Sequence, residues 1–255
     1  MYFTGENVDR YLAAAEARGI EELGCSEHVY RFRQALEIWD HPYWVGNAQD
    51  DLDEYCEFVR STPLKLGLET DYITGREDQI AALLDGRDLD YVLGSVHFVG
   101  EYSIDEDVFS VWDDHSDADR VWSWYFETLA RAARSGLYDI LAHPDVVKCW
   151  GHERPRPSGD LRRFYEPAIE AIVETGIAVE ISTAGFENPD PEIYPAPEFA
   201  RLCLEAGADF TLSSDAHAPE EIGFEYEKAL AFMRELGIER ICTFTKRERT
   251  LVPVG

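Results

Sequence analysis

The chain has 255 residues, 45% of them hydrophobic and 29% charged, so one large α/β barrel suits its length better than two small domains. Its formal net charge of −28 excludes general nucleic-acid binding, because a phosphate backbone requires a basic protein face. The sequence has no long apolar run and no secretory signal at its N-terminus, and its five cysteines are scattered. We therefore expect a cytoplasmic protein with free thiols and no membrane partner.

Segments rich in β-branched residues alternate with segments of helical periodicity, which is typical of βα units. The first predicted element is a helix over residues 6–17, with Thr4 as its N-cap and Gly19 as its stop. Predicted strands lie at 22–27, 64–69, 91–97, 139–143, 178–182, 209–214 and 240–244. Further helices are predicted at 50–60, 76–84, 118–134, 161–174, 196–205 and 220–236. The order predicts a parallel barrel whose irregular loops follow the strand ends.

Side chains of metal-ligand type end five of the predicted strands: His28, Glu69 with Asp71, His97, His143, and Asp215 with His217. The C-terminal ends of parallel barrel strands face a common crater, so we expect these side chains to converge. Imidazoles and carboxylates together are the ligands of zinc, manganese and iron sites. A single strand-end histidine is more often structural, but the whole set predicts a metal centre.

Five short motifs resemble, in order, the metal motifs of the polymerase-and-histidinol-phosphatase (PHP) family: Ser26-Glu27-His28-Val29, Gly67-Leu68-Glu69, Gly94-Ser95-Val96-His97, Ala142-His143-Pro144-Asp145 and Ser214-Asp215-Ala216-His217. Three further segments resemble the histidinol-phosphatase branch of that family, and they lie at 27–32, 147–152 and 192–195. The resemblance covers nearly the whole chain. It implies a distorted (β/α)7 TIM-like barrel, forming a single domain over residues 1–255, that holds up to three divalent transition metals.

The resemblance also implies a role for each matching residue. Glu69 would bridge two metals, His97 and His143 would complete the second site, Asp215 would bind the first metal, and His28 with His217 would bind the third. Glu69, Asp215 and His217 would thereby form the catalytic group. The implied reaction is hydrolysis of L-histidinol phosphate to L-histidinol in histidine biosynthesis. Another small phosphate ester, or a metal-poor and non-catalytic form, remains an alternative. Asp145 would either orient His143 or cap its loop.

The N-terminus departs from the family pattern. The family opens with a strand that ends in a His-x-His pair, whereas this chain starts at the following helix and has no histidine before His28. The barrel is therefore expected to lack its first strand, and the first metal would keep only Glu69 and Asp215. Because the downstream motifs match without a gap, we expect the natural coding region to start further upstream, with a true truncation as the alternative.

The residues expected to bind phosphate form the second departure. Related phosphatases tend to carry basic residues in the segment 185–190, and this chain has Glu187 and Asp190 there. The best alternative cluster lies in the loop after His143 and comprises Lys148, His152, Arg154 and Arg156, with Arg31 and Arg33 after His28 as further candidates. Basic side chains suit a phosphate, and a solvated basic loop on an acidic protein is the alternative.

Overall fold

The computed structural model describes residues 4–254, so residues 1–3 and 255 of the predicted 1–255 domain lie outside the described part. Its strands are β1 Gly24–His28, β2 Lys65–Asp71, β3 Tyr91–Ser95, β4 Phe98–Val99, β5 Tyr102–Ser103, β6 Ile140–Leu141, β7 Ala178–Ser182, β8 Phe210–Ser213, β9 Arg240–Thr245 and β10 Glu248–Pro253. Its α-helices are α1 Gly5–Ala17, α2 Pro42–Asn47, α3 Leu52–Arg60, α4 Glu77–Leu84, α5 Val111–Asp114, α6 Ala118–Arg134, α7 Arg162–Thr175, α8 Pro197–Glu205 and α9 Tyr226–Leu236.

Six strands form one parallel sheet in the order β1-β2-β3-β6-β7-β8. Strands next to each other in this sheet also follow each other along the chain, as expected for repeated right-handed βα units. The two outermost strands, β1 and β8, line the same cavity of about 600 Å³, so the sheet curls towards closure. The result is a half-barrel of the distorted TIM-like type that the sequence predicts.

Most predicted elements are present, with ends that differ by at most two residues. The helix predicted at 118–134 and the strand predicted at 178–182 coincide with α6 and β7. The helix predicted over 220–236 begins later, at Tyr226, because a short 3₁₀ turn and a bend precede it. The sequence did not predict the small β4–β5 hairpin, helices α2 and α5, or strand β10, which are short or pair only locally.

Helix ends follow the local chemistry of the sequence. The Thr4 side chain accepts a hydrogen bond from the Asn7 amide, 3.3 Å away, and so caps α1 as predicted. Asp51 and Asp117 cap α3 and α6 in the same way, a contribution of about 1 kcal/mol each. Gly176 ends α7 in the left-handed conformation, with φ of 66°. These caps hold the helices in register with the strands that they connect.

The core lies between the sheet and the helices that cover it. Helices α6 and α7 pack against each other, and an aromatic cluster fills their contact: Trp122, Tyr125, Phe126, Tyr165 and Phe199. Burying each of these side chains stabilises the fold by roughly 1.5–3 kcal/mol. None of the helices within residues 4–254 combines the length and apolar character needed to cross a bilayer.

The sheet is open on one side. Within the described residues, β1 pairs with β2 alone and β8 pairs with β7 alone, so each has one edge without a ladder partner. The cavity between these edges is lined by backbone of both strands and by interior side chains that include Tyr91 and Glu180. This opening lies where the sequence predicts a missing first strand.

Candidate metal centre and active site

The structure brings the predicted ligand residues together at the C-terminal ends of the strands. His28 is the last residue of β1 and Glu69 lies near the end of β2, while His97 and His143 follow β3 and β6. The parallel register places His28 directly beside Glu69. One ligand atom from each of His28, Glu69 and His97 lies within 4.8 Å of the others. The convergence follows from strand order, since neighbouring parallel strands end at the same edge.

Three ligand atoms form a nearly equilateral triangle. Glu69 Oε1 lies 3.4 Å from His97 Nε2 and 3.2 Å from His143 Nε2, and the two Nε2 atoms are 3.3 Å apart. Ligands bound tetrahedrally to zinc at 2.0–2.1 Å stand about 3.3 Å from one another. The spacing of Glu69, His97 and His143 therefore fits one divalent transition metal.

The second Glu69 oxygen faces a different imidazole. Glu69 Oε2 lies 3.5 Å from His28 Nδ1, and that buried nitrogen has no hydrogen-bond partner within residues 4–254. The His28 ring is also 5.8 Å from the ring of His217, centroid to centroid. A carboxylate with its two oxygens directed at separate imidazole groups suits a bridge between two metal ions.

The charges in this cluster are strongly coupled. Burial raises the pKa of the Glu69 carboxyl, but the imidazoles of His28, His143 and His97 outweigh burial and hold that pKa well below its ordinary value. Burial lowers the pKa of His143, but the hydrogen bond and the charge of Glu69 raise it to about 9. Glu69 is therefore ionised and His143 protonated at neutral pH, so a metal ion competes with a proton for this imidazole.

Two of the histidines are oriented by a hydrogen bond on the nitrogen that faces away from the cluster. His97 Nδ1 lies 2.8 Å from the buried Asp71 carboxylate, and His217 Nδ1 donates to the Asp215 backbone oxygen at 2.9 Å. In both cases the acceptor holds the proton on Nδ1 and leaves Nε2 as the coordinating or proton-accepting atom. Such outer partners normally fix the ring of a metal-binding histidine.

Two predicted ligands have left-handed backbone conformations. His143 has φ of 26° and Asp215 has φ of 51°, at the ends of β6 and β8. Such angles cost about 1–3 kcal/mol for residues other than glycine and persist where the surroundings hold them, commonly at functional sites. The left-handed turn at each position ends the strand and redirects the chain at the rim of the crater.

A second cavity, of about 310 Å³, opens beside the cluster. One side of it is formed by predicted ligands, namely His28, His97, His143, Asp215 and His217. Aromatic side chains and two carboxylates line much of the rest: Tyr30, Tyr43, Phe98, Tyr194, Asp105 and Glu106. No lysine or arginine of the described chain lines this cavity. Any anion that binds here must be neutralised by metal ions or protonated imidazoles.

Lys148, which the sequence predicts to bind phosphate, lines neither of the two cavities. Its side chain is 4% exposed, and the ammonium lies 3.0 Å from Asp145, 2.8 Å from Glu192 and 2.8 Å from the Ile193 backbone oxygen. These three partners match its three donors, so none is left for a substrate. Asp145, which also accepts from the Ala196 amide, holds this loop and does not contact the His143 imidazole.

The other predicted phosphate-binding residues also lie outside the smaller cavity. His152 and Arg156 lie against Asp190, at 2.7 and 3.5 Å, so the acidic and basic loops neutralise each other. Arg154 pairs with Asp107 at 2.7 Å. Arg31 lines the larger cavity, but it is held between Glu27 and Asp50. Each of these side chains would have to leave an acidic partner to bind phosphate, and their role in phosphate binding stays a prediction.

Sequence reasoning missed two acidic residues beside the ligands. Asp105 lies in the loop after β5, 3.9 Å from His97 Nε2, and nothing in the local pattern marks it. Glu180 is buried in β7 and accepts the His143 amide. A single charge inside the apolar run Ala178–Ser182 was the available signal, because an acidic residue is rarely buried without a partner.

Two relatives of known sequence are similar to this chain over most of its length. A probable histidinol-phosphatase of Deinococcus radiodurans is 36% identical over 243 residues, covering 93% of this chain and 90% of that protein. A probable histidinol-phosphatase of Schizosaccharomyces pombe is 28% identical, covering 90% of this chain and 81% of that protein.

A solved structure supports the fold. The histidinol phosphate phosphatase of Lactococcus lactis, complexed with zinc, L-histidinol and phosphate, matches with a TM-score of 0.76 at 20% identity, covering 95% of this chain and 92% of that one. The match confirms the distorted TIM-like barrel expected from the sequence. A family model described as the PHP domain matches residues 4–184. Since that match spans most of the chain and the Deinococcus relative extends it to nearly the whole length, this protein belongs to the PHP domain family.

Proposed function

We propose that this protein is a metal-dependent histidinol-phosphatase, which hydrolyses L-histidinol phosphate to L-histidinol and phosphate in histidine biosynthesis. The observation that carries the proposal is the triangle of Glu69, His97 and His143, whose edges of 3.2–3.4 Å suit a divalent transition metal. The relative in Deinococcus radiodurans, named a probable histidinol-phosphatase, supports the choice of substrate. All five cysteines are free thiols, which supports a location in the reducing cytoplasm.

The proposed ligands divide into groups around Glu69. His97 and His143 with Glu69 Oε1 would hold one metal, Glu69 with Asp215 would hold another, and His28 with His217 would hold a third. Zinc is bound in the Lactococcus lactis protein, and manganese or iron suits the same donors. When bound, such metals supply Lewis acidity, which lowers the pKa of water and neutralises phosphoryl oxygens.

The protein side chains orient the reacting groups. Asp71 and the Asp215 backbone oxygen hold the Nδ1 protons of His97 and His217, so both Nε2 atoms remain available at the crater. His217 is exposed and lines the smaller cavity, where its Nε2 would hold a metal beside the phosphoryl group. Glu69, Asp215 and His217 are thus the proposed catalytic group.

The shape and charge of the smaller cavity suit a cationic leaving group. The phosphoryl group would lie against the imidazoles, and the rest of the substrate would lie between Tyr30, Tyr43 and Phe98. Asp105 and Glu106 border this part and form no ion pair with an arginine or lysine of residues 4–254. L-histidinol carries an amine and an imidazole, so the carboxylates and aromatic faces attract it. A phosphate ester whose leaving group is an uncharged alkyl alcohol lacks this attraction.

The test measures phosphate release after the purified chain has been reconstituted with zinc, manganese or iron(II). The kcat/KM for L-histidinol phosphate should exceed that for a phosphate monoester of similar size whose alkyl group is uncharged. Glu106→Gln should raise KM for histidinol phosphate and leave the ester with an uncharged alkyl group unaffected, and Asp107→Asn, which changes an exposed carboxylate outside the cavity, is the matched control. Equal rates for both esters would favour another phosphate ester. No turnover with any metal would favour a non-catalytic protein.

A further inference from the structure

Glu180 is a buried acid whose role the proposed reaction does not explain. It lies on β7, is 3% exposed, and lines the larger cavity close to the predicted ligands. No lysine, arginine or histidine side chain within residues 4–254 lies within ion-pair distance of it. Burying a carboxylate is costly unless it makes strong hydrogen bonds. Its strongest observed bond is to the backbone of His143.

The bond exists because the parallel ladder ends early. Strand β6 has only two residues, and its pairing with β7 stops at Leu141 and Val179. The chain then turns into the left-handed conformation at His143, where φ is 26°. The His143 amide donates to Glu180 Oε2 at 2.6 Å. The Glu180 carboxylate thus replaces the strand carbonyl that would otherwise accept the His143 amide, at a residue whose backbone is strained.

The His143 ring lacks the usual second anchor. His97 is oriented through Nδ1 by Asp71, and His217 is oriented through Nδ1 by a backbone oxygen. His143 Nδ1 is buried and has no hydrogen-bond partner in the described part of the chain. Its Nε2 nevertheless lies 3.2 Å from Glu69 Oε1. Apart from this contact with Glu69, the direction of the ring depends on its backbone and packing.

From this geometry we propose that Glu180 is a positioning residue for His143. By accepting the His143 amide, it stabilises the left-handed backbone that directs Nε2 towards Glu69 and His97. The bond replaces the outer partner that the imidazole lacks. The inference concerns the metal centre on which the proposed function rests, but the Glu180 bond exists in the folded chain whatever the substrate is.

Two substitutions separate the hydrogen bond from the charge. Glu180→Gln keeps an acceptor oxygen of the same reach and removes the charge, whereas Glu180→Ala removes both. Val179→Ala on the same strand is the control, because it removes buried apolar surface and keeps the hydrogen bond from the His143 amide to Glu180. Two quantities are measured: hydrogen exchange of the His143 amide by NMR without added metal, and cobalt(II) affinity with its visible spectrum.

The His143 amide should be protected in the unmodified chain and in Glu180→Gln, and should exchange at least about tenfold faster in Glu180→Ala. Loss of an outer-shell partner typically lowers metal affinity by about 10- to 100-fold, so Glu180→Ala should bind cobalt(II) that much more weakly, with an altered spectrum. Glu180→Gln should stay within about threefold of the unmodified chain. Val179→Ala should melt at a lower temperature with unchanged cobalt(II) affinity.

Two outcomes would overturn the proposal. One is unchanged cobalt(II) affinity and spectrum in Glu180→Ala, which would make the bond purely structural. The other is an equal loss in Glu180→Gln and Glu180→Ala, which would assign the effect to charge. A chain without phosphatase activity would contradict the proposed function alone, because amide exchange and the cobalt(II) spectrum do not depend on turnover.

Discussion

Metal binding at Glu69, His97 and His143 should release protons and therefore strengthen with pH. The charge of Glu69 raises the pKa of His143 to about 9, against an ordinary value of 6.5. At pH 7 the imidazolium form of His143 then exceeds the neutral form by about 100 to 1, which costs a competing metal about 2.7 kcal/mol. Burial lowers the pKa of His97, but Asp105 and Asp71 outweigh it and raise that pKa too.

The sign follows from competition. Protons occupy the imidazoles below their folded-state pKa values, so affinity is weakest at low pH and rises until about pH 9. Between pH 7 and pH 9 the apparent dissociation constant for zinc should fall about 50-fold from His143 alone, because half of its imidazole is still protonated at pH 9, and further from His97. The Glu69→Gln variant should show a weaker dependence, because it lacks the anion that raises the pKa of His143.

Chelator-buffered titrations at pH 7, 8 and 9 measure the affinity. Calorimetry in buffers with different ionisation enthalpies counts the protons, and at least about one should be released per metal at pH 7. An affinity that is flat across this range, with no protons released, would refute the reasoning. It would mean that the imidazoles are neutral before the metal binds.

Three further predictions concern the same chain. Glu69→Gln should reduce bound metal more than any single histidine change, because two groups of ligands share this carboxylate. Elemental analysis measures the bound metal, and His41→Ala is the control, because His41 caps α2 and stacks on Trp39 outside the ligand cluster. A smaller loss of metal in Glu69→Gln than in His41→Ala would contradict the prediction. Lys148→Met should destabilise the fold by about 3–5 kcal/mol, seen as a lower melting temperature, and leave KM unchanged, since it breaks a buried ion pair; a raised KM would return Lys148 to the substrate site. Adding an N-terminal strand that ends in His-x-His should raise the melting temperature, bound metal and turnover, because β1 and β8 each have an edge without a strand partner within residues 4–254. Equal values in both forms would contradict this.

Much of the fold could be predicted because its signals are local. Strand β7 and helix α6 have the predicted bounds, since the apolar run of the strand and the 3.6-residue periodicity and cap of the helix lie within a few residues of the elements that they define. The convergence of the strand-end ligands was predictable for a related reason. Parallel strands in sequential order must end at one edge, so the ends of distant segments are brought together without knowledge of any contact.

The remaining features depend on contacts between distant residues, which no local pattern contains. Lys148 has a side chain that can bind phosphate and lies in a loop beside His143, yet its ammonium is buried against Asp145 and Glu192. Nothing in the sequence indicates a role for Glu180, because its hydrogen bond to the His143 amide depends on the early end of β6. The sequence alone determined which side chains could bind a metal and where along the chain they lie. The tertiary structure decided which charges are already paired and which remain directed into the crater, because that depends on distances between segments far apart in sequence.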